Sequence, residues 1–368
     1  MPDACILRAV VRAHPTAFQA GNQDKTGVDL KELTFNADDF AVWVIDWQQQ
    51  QGRHDLPWQQ DISPYKVLVS ELMLQQTQVS TVIPYFERWM AAFPDIASLA
   101  QAPQERVMEL WQGLGYYARA RNLHKAAIAI TARGSFPDDL ASLQQIPGIG
   151  RYTAGAIMSF AYNRYGPIVD GNVRRLFCRL FALEGTPGQS ALEKKLWQLA
   201  EQLTPREHNR QFAQALLDLG ATLCKARHPA CQSCPLQAVC LAYQQNRVAE
   251  LPTPKVKKAK PSRAGHFLWV HQKQQLLLEQ RPDRGIWSSL LALPEVEADD
   301  PRLAQAELMG TFSHQFSHYQ LDASIWSPSA GVQETAAQSW YNRQQLAQVG
   351  LPAPIRKWIE QQLKQQSE

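Results

Sequence analysis

The sequence predicts an all-helical domain closed by a cysteine cluster, followed by a smaller α+β domain. Three observations carry this. Apolar residues recur at helical spacing from Asp38 to about Leu223, with short Pro- or Gly-containing loops between the segments. Four cysteines, Cys224, Cys231, Cys234 and Cys240, crowd into seventeen residues. Beyond a basic, proline-containing run at 254–263, short apolar segments of strand type replace the helical pattern. A length of 368 residues accommodates two such domains.

Taken in order, residues 1–37 read as a disordered extension. The opening "MPDACILRAVVRAHP" is interrupted by Arg8 and Arg12 and lacks the apolar core of a signal peptide; Asp3 and the scarcity of serine argue against a mitochondrial presequence. With no apolar run of membrane length, the expectation is a cytoplasmic protein without a membrane partner. "DDFAVWVIDWQQQ" (38–50) begins with a capping aspartate and sets Phe40, Val44 and Trp47 on one helical face. Further helices are expected around 66–76, 79–92, 104–113, 119–133, 151–162, 171–182 and 191–203. The boundaries read as a helical domain over 38–223, a cysteine motif over 224–250, a basic linker over 251–264 and the second domain over 265–368, with "HFLWVHQ" and "QLLLEQ" as its first strands.

The net charge of +3 names no partner, but between Arg119 and Arg179 nine Lys/Arg stand against three Asp/Glu. That central basic segment suits a nucleic acid. In a reducing compartment the cysteine cluster points to a metal centre rather than to disulfides. Its spacing, C-x6-C-x2-C-x5-C, supplies four thiolates for either tetrahedral zinc or a [4Fe–4S] cluster. Structural zinc sites more often pair two C-x2-C knuckles, and this run has one.

"QQIPGIGRYTAGAI" (144–157) holds a turn between two helical patterns. Pro147 opens it, and Gly148 and Gly150 permit backbone conformations that a side chain resists. Ile146 and Ile149 pin the turn to a core, while the helix beginning near Arg151 offers its first amides to an anion. A nucleic-acid phosphate fits there without sequence preference. This is the helix-hairpin-helix pattern. Downstream, "VDGNVRRL" (169–176) places a carboxylate, Asp170, twenty residues beyond Gly150, where the second helix is expected to end.

With "LPW", "PYKVLVSELMLQQTQVSTVIPYFERW", "LWQGLGYYARARNLHKAA", "IPGIGRYTAGAI", "VDGNVRRL", the cysteine spacing and "FSHQFSHYQLD" in order, the chain resembles the helix-hairpin-helix DNA glycosylases, and within them the MutY group of adenine DNA glycosylases, from about Phe40 to the C-terminus. Breaking a C–N glycosidic bond through an oxocarbenium-like transition state calls for an acid at the leaving group and an anion beside the sugar. Glu71, among the apolar neighbours of "VSELMLQQT", is placed for a raised pKa. The resemblance implies that Glu71 protonates adenine N7, and that Asp170, with Gly171 and Asn172 beside it, stays ionised to stabilise the sugar cation. Endonuclease III-like relatives carry a lysine where this chain has Tyr152; a phenol forms no imine, so base removal without strand cleavage is implied.

The resemblance further assigns Gln75, Gln76 and Thr77 of "LQQT", with Leu114 and Tyr116 of "GLGYY", to DNA contact. Gln76 and Tyr116 fill the space left when the target base is flipped out. Gln214 of "FAQALLDLG" would hydrogen-bond the extruded adenine, and Cys224, Cys231, Cys234 and Cys240 would hold a [4Fe–4S] cluster. Arg174 departs from relatives that have a lysine there. Residues 265–365 resemble the MutT-like (Nudix-fold) domain of this group, yet after Gly285 the REUxEE glutamate cluster of the pyrophosphatases is missing, so recognition rather than hydrolysis is implied. Its segment Phe316-Ser317-His318 aligns with the loop that senses 8-oxoguanine. The expected partner is double-stranded DNA with A·8-oxoG or A·G pairs, bound by a monomer. Two rivals are an endonuclease III-like glycosylase/lyase for oxidised pyrimidines and a non-catalytic DNA-binding protein.

Overall fold

Phe40, Phe177 and Phe212, all fully buried, meet edge to face at the centre of the helical part, with centroids 5.9 Å (Phe40–Phe212) and 6.5 Å (Phe40–Phe177) apart. The computed structural model describes residues 35–255, 259–282, 285–329 and 334–365; the extension expected over residues 1–37 therefore lies outside the described residues as far as residue 34. The helices are α1 (Ala37–Gln51), α2 (Pro64–Leu74), α3 (Val79–Ala92), α4 (Ile96–Gln101), α5 (Gln104–Trp111) and α6 (Ala118–Arg133). They continue with α7 (Leu140–Gln144), α8 (Arg151–Ala156), α9 (Gly171–Leu180), α10 (Ser190–Leu203), α11 (Asn209–Asp218) and α12 (Leu241–Gln244). Single π-turns, Ile157–Ala161 and Leu219–Leu223, prolong α8 and α11. Among the described residues no helix is long and apolar enough to cross a membrane.

The described chain divides into two compact units: one comprises residues 35–87 and 125–255, the other 88–124 and 259–365. In the first, α1 lies against α11, and α2 packs on α8 and its π-turn. The cap of α1 differs from expectation. Asn36 is the N-cap, accepting from the Asp39 amide at 2.8 Å, while Asp38 and Asp39 sit in the first turn, where they face the helix dipole. Ser63 caps α2 and Pro64 starts it; eight of its residues, Tyr65 and Val67–Met73, are buried, with half-buried Lys66 between them.

The second unit has a tryptophan pair, Trp89 and Trp111, at 5.5 Å, and two small sheets. Its strands are β1 (Ser262–Leu268), β2 (His271–Gln272), β3 (Gln275–Gln280), β4 (Leu291–Ala292), β5 (Glu295–Val296), β6 (Glu307–Gln315), β7 (Gln320–Ser327) and β8 (Gln338–Asn342). One sheet runs β5-β1-β7-β6, with β1 and β7 parallel and Phe267 opposite Ile325; the other is built on β3, with β2, β4 and β8 antiparallel to it. Helices α13 (Arg343–Gln348) and α14 (Ala353–Gln365) complete it. Between Gly285 and Ala306 the described chain holds only short strands and a single 3-10 turn, without the glutamate-bearing helix of a pyrophosphatase.

Candidate active site

Glu71 sits inside α2 with only 5% of its surface exposed. An isolated buried carboxylate is costly, so the group responds by holding its proton. Burial, opposed by a hydrogen bond from Tyr152 and reinforced by the charge of Asp170, raises its pKa from 4.5 to about 7. The Tyr152 hydroxyl, in the first turn of α8, donates to Glu71 Oε2 at 2.6 Å. Burial and the two neighbouring carboxyls keep that phenol well above its usual pKa of 10, so it remains an O–H donor.

Asp170 does not end the hairpin's second helix, as the sequence suggested. That helix stops at about Ala161, and Asp170 caps the next one, α9. Its Oδ1 accepts from the amides of Asn172 (2.8 Å) and Val173 (2.7 Å), and its Oδ2 from Asn172 Nδ2 (3.0 Å). Burial lifts the Asp170 pKa, while those hydrogen bonds and the Arg175 guanidinium draw it back. Donors on both oxygens, at the positive end of a helix, suit a carboxylate rather than an acid. Glu71 and Asp170 thus have distinct surroundings: one has apolar walls, the other a set of N–H groups.

Beside Glu71 opens a pocket of about 240 Å³, walled by residues that include Trp58, Leu74 and Leu217 and the polar side chains of Gln48, Arg53, His54, Gln211 and Gln214. Gln214 Nε2 donates to Asp218 Oδ1 at 2.9 Å. Asp218, fully buried, also accepts from the Arg53 amide (2.9 Å), Nε (2.8 Å) and Nη2 (2.7 Å). Of the pocket residues the sequence reading found Glu71 and Gln214 and missed Arg53 and Gln211, and it also missed Asp218, the buried partner of Arg53 and Gln214. A signal existed: positions 211, 214 and 218 form a polar stripe at helical spacing in an otherwise apolar segment.

In the hairpin, Gly148 has φ +83°, where a side chain is strained, and Pro147 precedes it. Gly150 is different from expectation: it is the N-cap of α8 with φ −86° and ψ 178°, a conformation open to any residue. A Cβ there would meet nothing within 4 Å, so the glycine leaves open space outside the turn. Gln75 ends α2, Gln76 is exposed with φ +57°, and the Thr77 amide closes the turn on Leu74 O at 3.2 Å. In the other unit Tyr116 has φ +49° and is 52% exposed, while Leu114 is buried. Arg119 Nη2 donates to the carbonyls of Leu114 and Gly115, both at 3.1 Å, and thereby fixes the loop that presents Tyr116.

Phe316-Ser317-His318 form, with Tyr319, the turn between β6 and β7, closed by the Phe316 amide on Tyr319 O at 2.9 Å. Phe316 is anchored among Trp287, His314 and Tyr319, whereas Ser317 and His318 are exposed, 3.3 Å apart from Oγ to Nδ1. The earlier triplet, Phe312-Ser313-His314, lies within β6, and Ser313 donates to Asp322 there.

Cys224, Cys231, Cys234 and Cys240 line a single cavity of about 30 Å³ together with Leu176, Arg179, Leu236 and Tyr243. Arg179 Nη1 donates to Cys224 Sγ at 3.4 Å and to Lys225 O at 2.8 Å. Arg175 ties this loop to α9: its Nε donates to Cys224 O at 2.7 Å, and its Nη2 to Gly220 O (2.7 Å) and Asn172 Oδ1 (2.9 Å). A Cβ on Gly220 would come within 2.5 Å of Asn172 Cβ, so only glycine allows this approach. Among the described residues no three His, Cys, Asp or Glu side chains converge closely enough to hold a single metal ion.

A family model described as HhH-GPD superfamily base excision DNA repair protein matches residues 69–202, and a NUDIX domain model matches residues 265–361. The adenine DNA glycosylase of Buchnera aphidicola subsp. Acyrthosiphon pisum is 36% identical over 338 residues, which span 87% of this chain and 97% of that protein. The human adenine DNA glycosylase is 43% identical over 228 residues, 59% of this chain and 41% of that protein. Among solved structures, a thermostable thymine-DNA glycosylase superposes at a TM-score of 0.51 with 26% identity, covering 57% of this chain and 97% of that one. A buried acid and a helix-capping carboxylate in a helix-hairpin-helix domain, a Nudix-like domain behind it, and a full-length relative at this identity lead to one statement: the chain belongs to the adenine DNA glycosylase family.

Proposed function

We propose that this chain is a monofunctional DNA glycosylase that removes adenine paired with 8-oxoguanine and, more weakly, with guanine. The observation that carries the reading is the buried Glu71, hydrogen-bonded by Tyr152 at 2.6 Å and opening onto a base-sized pocket. A flipped adenine presents N7 to the Glu71 carboxyl, which donates its proton as the C1′–N9 bond breaks and the bonding electrons leave with the base. Asp170, ionised, faces the positive charge that develops on the sugar, and Asn172 holds its second oxygen. Water then adds to C1′ and gives up a proton, leaving an abasic site in an unbroken strand. Tyr152 supplies a hydroxyl where a lyase needs an amine.

The hairpin amides around Gly148 and Gly150 take a DNA phosphate, and the open space outside Gly150 lets the backbone approach it. Gln76, on a left-handed turn between Gln75 and Thr77, and Tyr116, on a left-handed turn of the other unit beside Leu114, are each assigned to contact with the DNA stack. Ser317 and His318 read the opposite base. For the cofactor we infer a [4Fe–4S] cluster on Cys224, Cys231, Cys234 and Cys240. The donors fit: four sulfurs line one cavity, with the Arg179 guanidinium placed to offset thiolate charge. Cys224, Cys231, Cys234 and Cys240 would hold the cluster, which would serve as a structural cross-link of the 224–240 loop rather than as chemistry at the base.

The test is a duplex carrying A·8-oxoG, scored for adenine release and then for strand breaks with and without alkali. Adenine release with breaks only after alkali is expected. Strand breakage without alkali, with trapping by borohydride, would favour the lyase reading; binding without release would favour the non-catalytic one.

A further inference from the structure

In the C-terminal unit the basic segment at 254–263 ends beside the turn between β6 and β7. Pro261 O accepts from the Gln320 amide at 3.0 Å, and Ser262 pairs with Gln320 where β1 and β7 run parallel. The Ser262 and Ser313 hydroxyls both donate to Asp322, as does Gln320 Nε2 at 2.9 Å. The backbone that follows Lys260 is thereby fixed at the base of the turn. From there Lys260 Nζ donates to the Phe316 carbonyl at 2.6 Å. Phe316 is thus held by its ring against Trp287, by its amide on Tyr319 O and by its carbonyl on Lys260. That carbonyl is part of the rigid, planar peptide unit that leads into Ser317. Anchoring its oxygen sets the direction in which the exposed Ser317 and His318 leave the turn.

A surface lysine free to move would attract DNA phosphates without regard to the bases. Lys260 instead spends its ammonium on a backbone carbonyl. Such an exposed bond adds little to overall stability, because holding a long side chain in one geometry costs entropy. Its value lies in the few orientations it leaves to the groups it holds, which lowers the cost of ordering them on binding. Resting on the assignment of Ser317 and His318 to the opposite base, we propose that Lys260 is a positioning residue for lesion discrimination. It orients the peptide that carries Ser317 before DNA arrives.

The experiment measures, on the full-length chain, specificity constants for adenine release opposite 8-oxoguanine and opposite guanine. Lys260→Met keeps the length and apolar stem of the side chain but donates nothing. It should lower the 8-oxoguanine-to-guanine ratio by about three- to tenfold, the worth of one exposed hydrogen bond, with release opposite guanine and melting temperature near wild type. Lys260→Arg, which keeps a donor, should recover most of the ratio. Added to Ser317→Ala and His318→Ala, Lys260→Met should lower the ratio no further than those two changes alone, because the turn then has nothing left to orient. Equal losses opposite both bases would overturn the proposal and make Lys260 a phosphate contact. So would an additive loss in the triple variant, or a ratio unchanged in Lys260→Met but lowered by Ser317→Ala with His318→Ala. If those two alanines themselves leave the ratio unchanged, the assignment of the turn to the opposite base falls, and this proposal with it.

Discussion

At the scale of single residues, the reaction as proposed depends on where one proton resides. Glu71→Gln keeps the shape and the acceptor for Tyr152 but carries no transferable proton, so single-turnover release should fall by about 10²–10⁴-fold while duplex binding persists. In the wild type, release should decline as the pH rises through about 7, where Glu71 loses its proton. The same proton affects stability. The folded pKa stands above the unfolded value, so the stabilising contribution is complete below about 4.5 and is lost as the pH rises through about 7. The change amounts to about 3 kcal/mol at most. Glu71→Gln should therefore gain in melting temperature over wild type at pH 8, and gain less at pH 5; equal gains at both values would show that burial does not hold the proton. Glu71, Asp170 and Tyr152 were legible because each lies in a motif read locally. Arg53 was not, because its partner Asp218 is 165 residues away and an ion pair leaves no periodic trace in a sequence.

Among elements, the hairpin turn offers a sharper division between its glycines than the sequence did. Gly148 needs its positive φ, so Gly148→Ala should destabilise the fold by about 1–2 kcal/mol. Gly150→Ala has neither strain nor clash in the free protein. It should melt like wild type and yet bind duplex more weakly, because the added methyl occupies space proposed for a phosphate. Thermal unfolding and a binding titration on both variants check this, and unaltered affinity in Gly150→Ala would remove the phosphate from that turn. The long amphipathic helices were readable from spacing, with ends within a few residues. α4 and α7 were not, being too short to establish a period, and α11 was passed over because its inward face carries Gln211, Gln214 and Asp218. The helix expected over 151–162 matches α8 with its π-turn; only the placing of Asp170 at its end was wrong, because Asp170 lies nine residues further on as the cap of α9.

Over the whole molecule, the sequence showed the change from helical to α+β texture, but not that residues 88–124 group with the C-terminal unit, since such grouping arises from contacts distant in the chain. The exposed tip of the β6–β7 turn makes a prediction at this scale. Ser317→Ala with His318→Ala should erode the preference for A·8-oxoG over A·G and leave removal from A·G largely intact, with Phe316 still anchored in its aromatic cluster. The ratio of the two specificity constants measures it, and an unchanged ratio would move lesion sensing elsewhere. A last consequence comes from Arg175, whose guanidinium holds both the carbonyl of Cys224 and the side chain of Asn172. Asn172 in turn holds Asp170. On the proposed cluster assignment, protein prepared without iron should keep its helical circular dichroism and release adenine more slowly, because an unanchored Cys224 loop would free the arginine that holds Asn172 and, through it, Asp170; equal rates with and without iron would break that link. Maturation would then act as a safety catch, holding back base removal until the four cysteines are filled.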